Sequence, residues 1–392
     1  MKIKDISVLT ASYVKPAPKL LRSFAIIKIS TQEGEVGYGE ASDSYGHSHP
    51  LLVKFLIENY LRKLLVGEEV TAVEPLVGKL ERYTQMYFGL DGLITQTISG
   101  IEIALWDLVG KSLEKPVSAL LGSSKESIKL YGTGCTNFDA SYEWHAKFFE
   151  TARKSGINTF KIRIGRDPAW DMELVRNMRE TLGDRTTLMV DAYMSYSPPT
   201  ASKISEELAK YNIYFFEEPV LSYDMEGLAY VAKRSKVPLA VGEHTYRIYG
   251  FKELIDHGAV QIIQPDATIC GGLLEGTSIA SLAEARNVTV IPHIGGLSAV
   301  GVAANVHLAA AIRHSPMLEF DSDPYQPMKD SIIVDPLFAF DRIKGGYIQV
   351  PKSPGLGIEL DERALAKLPL REGDLYPDIY PNLGSGSVGS KA

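Results

Sequence analysis

The sequence predicts an α/β protein: a closed parallel β/α barrel with a smaller α+β domain beside it. Three observations lead there. Between residues 126 and 321, eight short β-rich runs alternate with helix-sized segments. Nearly every one of those runs ends in an ionisable residue. The first 125 residues follow another rhythm, strands first and helices after. The expected division is an N-terminal α+β cap (1–125), a barrel (126–321) and a C-terminal segment that completes the cap (322–392).

The N-terminal part opens with strands. "SFAIIKIST" (23–31), the turn "QEGE" (32–35) and "VGYGEA" (36–41) read as a hairpin. From about 51 to 121 the pattern is helical and ends in "GIEIALWDLVGKSLEKPVSALLG". The barrel runs begin with "IKLYGTG" at 128, then "NTFKIRI" (158–164), "TTLMVD" (186–191) and "IYFFEE" (213–218). "LAVGE" (239–243), "AVQIIQPD" (259–266), "VTVIPH" (288–293) and "MLEF" (317–320) continue the series. Helices are expected within 140–155, near 168–182, and at "EGLAYVAKRSK" and "LLEGTSIASLAEARN". Such repeated units need a parallel sheet covered by helices. An open doubly wound sheet is the alternative, and the polar strand ends favour closure. After about 322, "GGYIQV" and "GIEL" are short strands expected to rejoin the N-terminal domain.

Composition narrows the function. A chain of 392 residues suits one large domain and one smaller. Its net charge of −7, with no basic run, argues against nucleic acid or an anionic membrane as partner. The two cysteines, Cys135 and Cys270, lack metal or redox spacing, so a reduced cytoplasmic setting is expected. No signal peptide is read at the N-terminus. "GGLSAVGVAANVHLAAAI" (295–312) reads as a buried helix, because Ser298, Asn305 and His307 interrupt it. The Gly/Ser-rich tail 382–392 reads as frayed.

The strand ends carry the chemistry. They hold Lys161 and Arg163, Asp191, Glu217, Glu243, Asp266, His293 and Glu319. In a barrel these ends meet at one mouth. Asp191, Glu217 and Glu243 repel each other there unless a cation joins them. Their all-oxygen ligation selects Mg²⁺ or Mn²⁺ over zinc. Lys161 and Arg163, two apart on one strand, share a face and form a positive wall for an organic anion. Asp266 beside His293 fixes the imidazole tautomer and raises the basicity of the other nitrogen. Glu218, next to Glu217, points to the opposite side and is expected in an ion pair with a loop lysine or arginine.

The chain resembles the mandelate racemase branch of the enolase superfamily. "SGIEIALWDLVGKSLEKPVSALLG" looks like its signature helix, and "FKIRIG", "LMVDAY", "FFEEP", "VGEH", "IIQPDATICGG" and "VIPHIGG" follow in the family's order. The resemblance implies a modified TIM barrel, (β/α)₇β, under an α+β capping domain built from both termini. It implies Mg²⁺ on Asp191, Glu217 and Glu243, an Asp266–His293 dyad, and Glu319 against the substrate carboxylate or enolate. Cap loops near 15–24 and 42–50 would close over the substrate, with Lys19, Arg22, Tyr45, His47 and His49 as candidates. Lys161-Ile162-Arg163 stands where many relatives carry Lys-x-Lys.

The expected reaction is removal of water from an aldonic acid such as gluconate, galactonate, arabinonate, xylonate or rhamnonate, giving a 2-keto-3-deoxy acid. The expected partner is that small anionic sugar acid, and the chain is expected to act as a homo-oligomer. A racemase or epimerase of the same superfamily, a Schiff-base aldolase on Lys161, and a non-catalytic binding protein on this fold stay open.

Overall fold

The computed structural model describes residues 1–16, 19–44, 46, 48–123, 125–134 and 141–371. Tyr45, His47, Cys135 and the tail 382–392 lie outside the described residues, as does the side chain of Lys19.

Three antiparallel strands open the chain: β1 (Ile3–Pro16), β2 (Lys19–Thr31) and β3 (Val36–Ala41). The β2–β3 turn closes through the Thr31 N–H to Glu35 (2.9 Å), with Gly34 at positive φ as the turn requires. The segment 15–24 was expected as a loop. It is mostly hairpin, because Val14 pairs with Leu21 and Lys15 with Leu20. Arg22 is therefore a strand residue. The helix Leu93–Ser112 lies across β3. Gly39 permits the approach: a Cβ there would meet the Gly100 carbonyl oxygen at 1.9 Å. Ile27, Ile29, Ile101, Leu105 and Leu108 form the core between sheet and helix.

The second sheet holds eight parallel strands: β4 (Ser127–Thr133), β5 (Thr159–Arg163), β6 (Thr187–Asp191), β7 (Ile213–Glu217), β8 (Leu239–Val241), β9 (Ile262–Ile263), β10 (Thr289–Val290) and β11 (Leu318–Asp321). Its order runs β10-β9-β8-β7-β6-β5-β4-β11. Helices separate successive strands, among them Pro168–Leu182, Met225–Ala232 and Leu273–Glu284. The seam between β10 and β11 is closed by two bonds. The Glu319 N–H reaches the Pro292 carbonyl (3.4 Å), and the Ile294 N–H reaches Glu319 Oε2 (3.0 Å). This is the parallel β/α barrel with a separate antiparallel cap that the sequence predicts.

One expectation needs correction. The strand in "GGYIQV", β12 (Tyr347–Gln349), pairs antiparallel with Ser127–Lys129 of β4, not with the N-terminal sheet. That half of β4 is unpaired with β5 and β11, whose contacts begin at Gly132 and Leu130, so its backbone groups need another strand. Further on the chain does reach the first sheet. Pro369 bridges Ala11, and Glu362 meets Lys28 and Tyr38 (2.5 and 2.6 Å). The helix Ala299–Ala311 is buried along nearly its whole length, as read from its composition. None of the described helices is long and apolar enough to cross a membrane.

Candidate active site

The barrel interior explains why the acids converge. Tyr131, Met189, Phe215, Ala240, Ile262, Ile291 and Met317 form one apolar layer inside the strands. Side chains on a strand repeat their direction every second residue. Two residues beyond Met189, Phe215, Ile262, Ile291 and Met317 stand Asp191, Glu217, Gln264, His293 and Glu319. An apolar floor thus carries a polar layer directly above it. The step from Ala240 to Glu243 is three residues and passes through Gly242, where a Cβ would strike the Gln264 main chain at 2.5 Å.

Asp191, Glu217 and Glu243 each present a carboxylate oxygen, all within 4.8 Å of one another. All three are buried. Glu243 Oε1 has no hydrogen-bond donor among the described residues. Such a donor set, hard, anionic and incompletely satisfied, fits a divalent cation of the magnesium class. Burial pushes the Glu217 carboxyl well above its usual range, and Lys161 only partly offsets this.

Lys161 and Arg163 both face this cluster. Lys161 Nζ lies 2.6 Å from Glu217 Oε1 and 2.7 Å from Glu319 Oε1; Arg163 Nη1 lies 2.5 Å from Asp191 Oδ2. Burial disfavours the ammonium, yet Glu217 and Glu319 hold Lys161 well above its ordinary value.

His293 bridges two acids: Nδ1 meets Asp266 Oδ2 at 3.0 Å and Nε2 meets Glu243 Oε2 at 2.8 Å. Burial opposes the imidazolium, but Glu243, Glu319 and Asp266 overcome it and raise the pKa well above the usual range. Asp266 is itself anchored. Its Oδ1 accepts from the Thr268 N–H (2.8 Å), Thr268 Oγ1 (2.7 Å) and Asn305 Nδ2 (2.8 Å).

Reasoning from the sequence missed several of these residues. Gln264 donates to Glu217 Oε2 at 2.6 Å, and Asn305 also accepts the Ala267 N–H at 2.9 Å. Both are neutral amides, and only their strand-end or helix position could have drawn notice. Glu218 does form an ion pair, but its partner is His244 rather than a lysine or arginine (2.9 Å). Its φ of 38 shows that the strand has already turned there. His244 Nε2 meets Ser44 Oγ at 2.7 Å, joining the cap to the barrel mouth. Among the cap candidates, Arg22 is buried, and His49 is partly exposed with Asp43 Oδ2 at 3.8 Å. A small cavity at the mouth is lined by Arg22, Ser44, Arg163, His293, Glu319 and Asp321.

Fold and site together define an enolase-type enzyme. The chain belongs to the mandelate racemase / muconate lactonizing enzyme family: that family's N-terminal domain matches residues 19–122, and the enolase C-terminal domain-like family matches 144–364. An arabinonate dehydratase of Saccharolobus solfataricus is 34% identical over 340 residues, spanning 84% of this chain and 86% of its own. A D-galactarolactone cycloisomerase of Agrobacterium fabrum is 31% identical, spanning 88% and 91%. The crystal structure of a 3,6-anhydro-D-galactonate cycloisomerase from Zobellia galactanivorans superposes with a TM-score of 0.84 at 30% identity, covering 95% of this chain and all of its own.

Proposed function

We propose that this protein is a magnesium-dependent dehydratase of an aldonic-type sugar acid. The observation that carries the reading is the cavity itself. His293 and Arg163 line it together, and the acid trio converges beside them. Asp191, Glu217 and Glu243 would hold the Mg²⁺, which when bound stabilises negative charge developing on a substrate oxygen.

The chain's own residues do the rest. The proton α to a carboxylate is very weakly acidic, so its removal needs a placed base and placed positive charge. With Glu243 committed to the cation, His293 Nε2 would be released to take the C2 proton, while Asp266 keeps Nδ1 protonated and the ring oriented. Arg163, which lines the cavity, donates to the substrate carboxylate as negative charge grows on it, and Lys161 adds positive charge from behind Glu319. The C2 electron pair then forms the C2–C3 double bond, the C3–O bond breaks, and His293 returns its proton to the leaving hydroxyl. Water departs, and the enol tautomerises to the 2-keto-3-deoxy acid. Glu319 holds Lys161 and the Ile294 amide in place. Lys161 is a weaker choice of base, because it does not line the cavity. A guanidinium such as Arg163 stays protonated. A racemase needs a base on each face of C2, and among the described residues lining the cavity His293 is the one imidazole.

A second reading has an observation behind it: two relatives are named cycloisomerases. The same proton removal could expel an oxygen that belongs to a ring. Mass spectrometry of products from an acid-sugar and lactone panel with Mg²⁺ separates these readings. Dehydration loses one water; isomerisation keeps the mass. A panel in which every product keeps its mass would refute the dehydratase reading.

A further inference from the structure

We infer that the substrate carries an oxyanion at its far end, so that it is a sugar diacid, and that Arg22 receives that second carboxylate. This rests on the dehydratase reading and extends it: an aldaric acid presents the aldonic C1–C3 unit at one end and another carboxylate at the other.

Arg22 stands on β2, opposite Tyr13 of β1, and is only 3% exposed. Its Nε and Nη1 are buried and have no hydrogen-bond acceptor among the described residues. A buried guanidinium without an acceptor costs several kcal/mol unless something completes it. Among the described residues nothing does. Asp321 shares this end of the cavity, but its Oδ1 already accepts the Asp323 N–H (2.9 Å), and no ion pair joins it to Arg22. Asp323 is taken by Lys15 (2.5 Å).

The backbone around the guanidinium is shaped to admit it. A Cβ on Gly296 would stand 2.1 Å from Arg22 Nη1 and 2.6 Å from Cζ, and one on Gly46 would stand 2.8 Å from Nη1. Two glycines, one from the cap and one from the loop after His293, make the space. The head of the substrate meets Arg163 and His293 on the barrel side. Arg22 is a separate cation, supplied by the cap, lining the same cavity. A planar guanidinium with unclaimed donors matches a carboxylate in bidentate fashion, better than it matches scattered hydroxyls.

The test uses matched pairs, galactarate with galactonate and glucarate with gluconate, on the Mg²⁺-loaded enzyme. The expected result is a higher kcat/KM for the diacid of a pair. In Arg22→Met the diacid-to-monoacid ratio should collapse by about 10²-fold or more, as expected for an orphaned carboxylate in a closed site. Arg22→Lys should recover part of it, since it keeps charge without the fork. A parent enzyme that prefers the monoacid of every pair overturns the inference while leaving the dehydratase reading intact. So does an equal loss on both substrates in Arg22→Met. If neither acid of any pair loses its C2 proton in D₂O, the dehydratase reading falls and this one with it. Should Arg22→Met fail to fold, the parent's ratio decides alone.

Discussion

Glu40 of the capping sheet accepts a hydrogen bond from Ser298 Oγ at 2.5 Å, across the interface with the barrel. It also receives the N–H groups of Ser298 and Gly301 (3.1 and 2.9 Å), at the start of the helix Ala299–Ala311. Glu102 does the same for Leu273 and Leu274, at the start of Leu273–Glu284. Two cap carboxylates thus occupy two barrel-helix N-termini, where amide donors and the helix dipole favour negative charge.

These two acids set a pH dependence. Burial pushes each up to about 7 from an ordinary 4.5. Between those values the folded protein keeps protons that the unfolded chain releases. Stability therefore falls as pH rises from 4.5 towards 7, by at most ~1.4 kcal/mol per pH unit for each group. Above 7 this contribution levels off. Glu40→Gln should flatten the slope of the urea midpoint against pH. A slope parallel to that of the parent would show that Glu40 does not titrate there.

Metal affinity should separate two adjacent residues. Glu217→Gln removes one of three converging acids and should weaken Mg²⁺ binding at least ~10-fold by calorimetry. Glu218→Gln should change it by a few-fold at most, since that carboxylate is committed to His244 and Ser222. Equal losses would mean that Glu218 joins the ligand set.

His293→Asn should lose dehydration by at least ~10²–10⁴-fold. It should also lose exchange of the C2 proton with deuterium, followed by proton NMR in D₂O. Sustained exchange without dehydration would hand the base role to Lys161.

Asn305→Leu removes one of three donors to Asp266 Oδ1. The expected loss is confined to kcat, about 10-fold, with KM nearly unchanged, because Asn305 lies outside the cavity lining. The kcat–pH profile should shift as the dyad loosens. A change in KM alone would make Asn305 a binding residue.

Much of this site is legible in the sequence, because a parallel barrel carries its strand ends to one place. Asp191, Glu217, Glu243, Asp266, His293 and Glu319 each stand at or next to the end of a β-rich run, and charge there is conspicuous. What sequence did not reveal about Glu218 is its partner, His244, since the strand has already turned there at positive φ. Gln264 and Asn305 escaped notice because neutral amides do not stand out by charge. Arg22 was taken for a loop residue, and only the β1–β2 register shows that it is held in a strand and buried. The destination of β12 was equally hidden, since it depends on which half of β4 lacks a neighbour.

The bridge between Ala11 and Pro369 bears on how this chain folds. Ser12 and Pro369 are 357 positions apart, yet Ser12 Oγ donates to the Pro369 carbonyl at 3.0 Å. Contacts at such separation come late and slow the reaction, because a very long loop must close first. During synthesis the outer edge of β1 emerges early, long before its partner at Pro369. An open strand edge is a template for pairing with other chains. Copies lacking the segment near 369 should therefore aggregate more readily, because that segment covers the edge of β1 at Ala11.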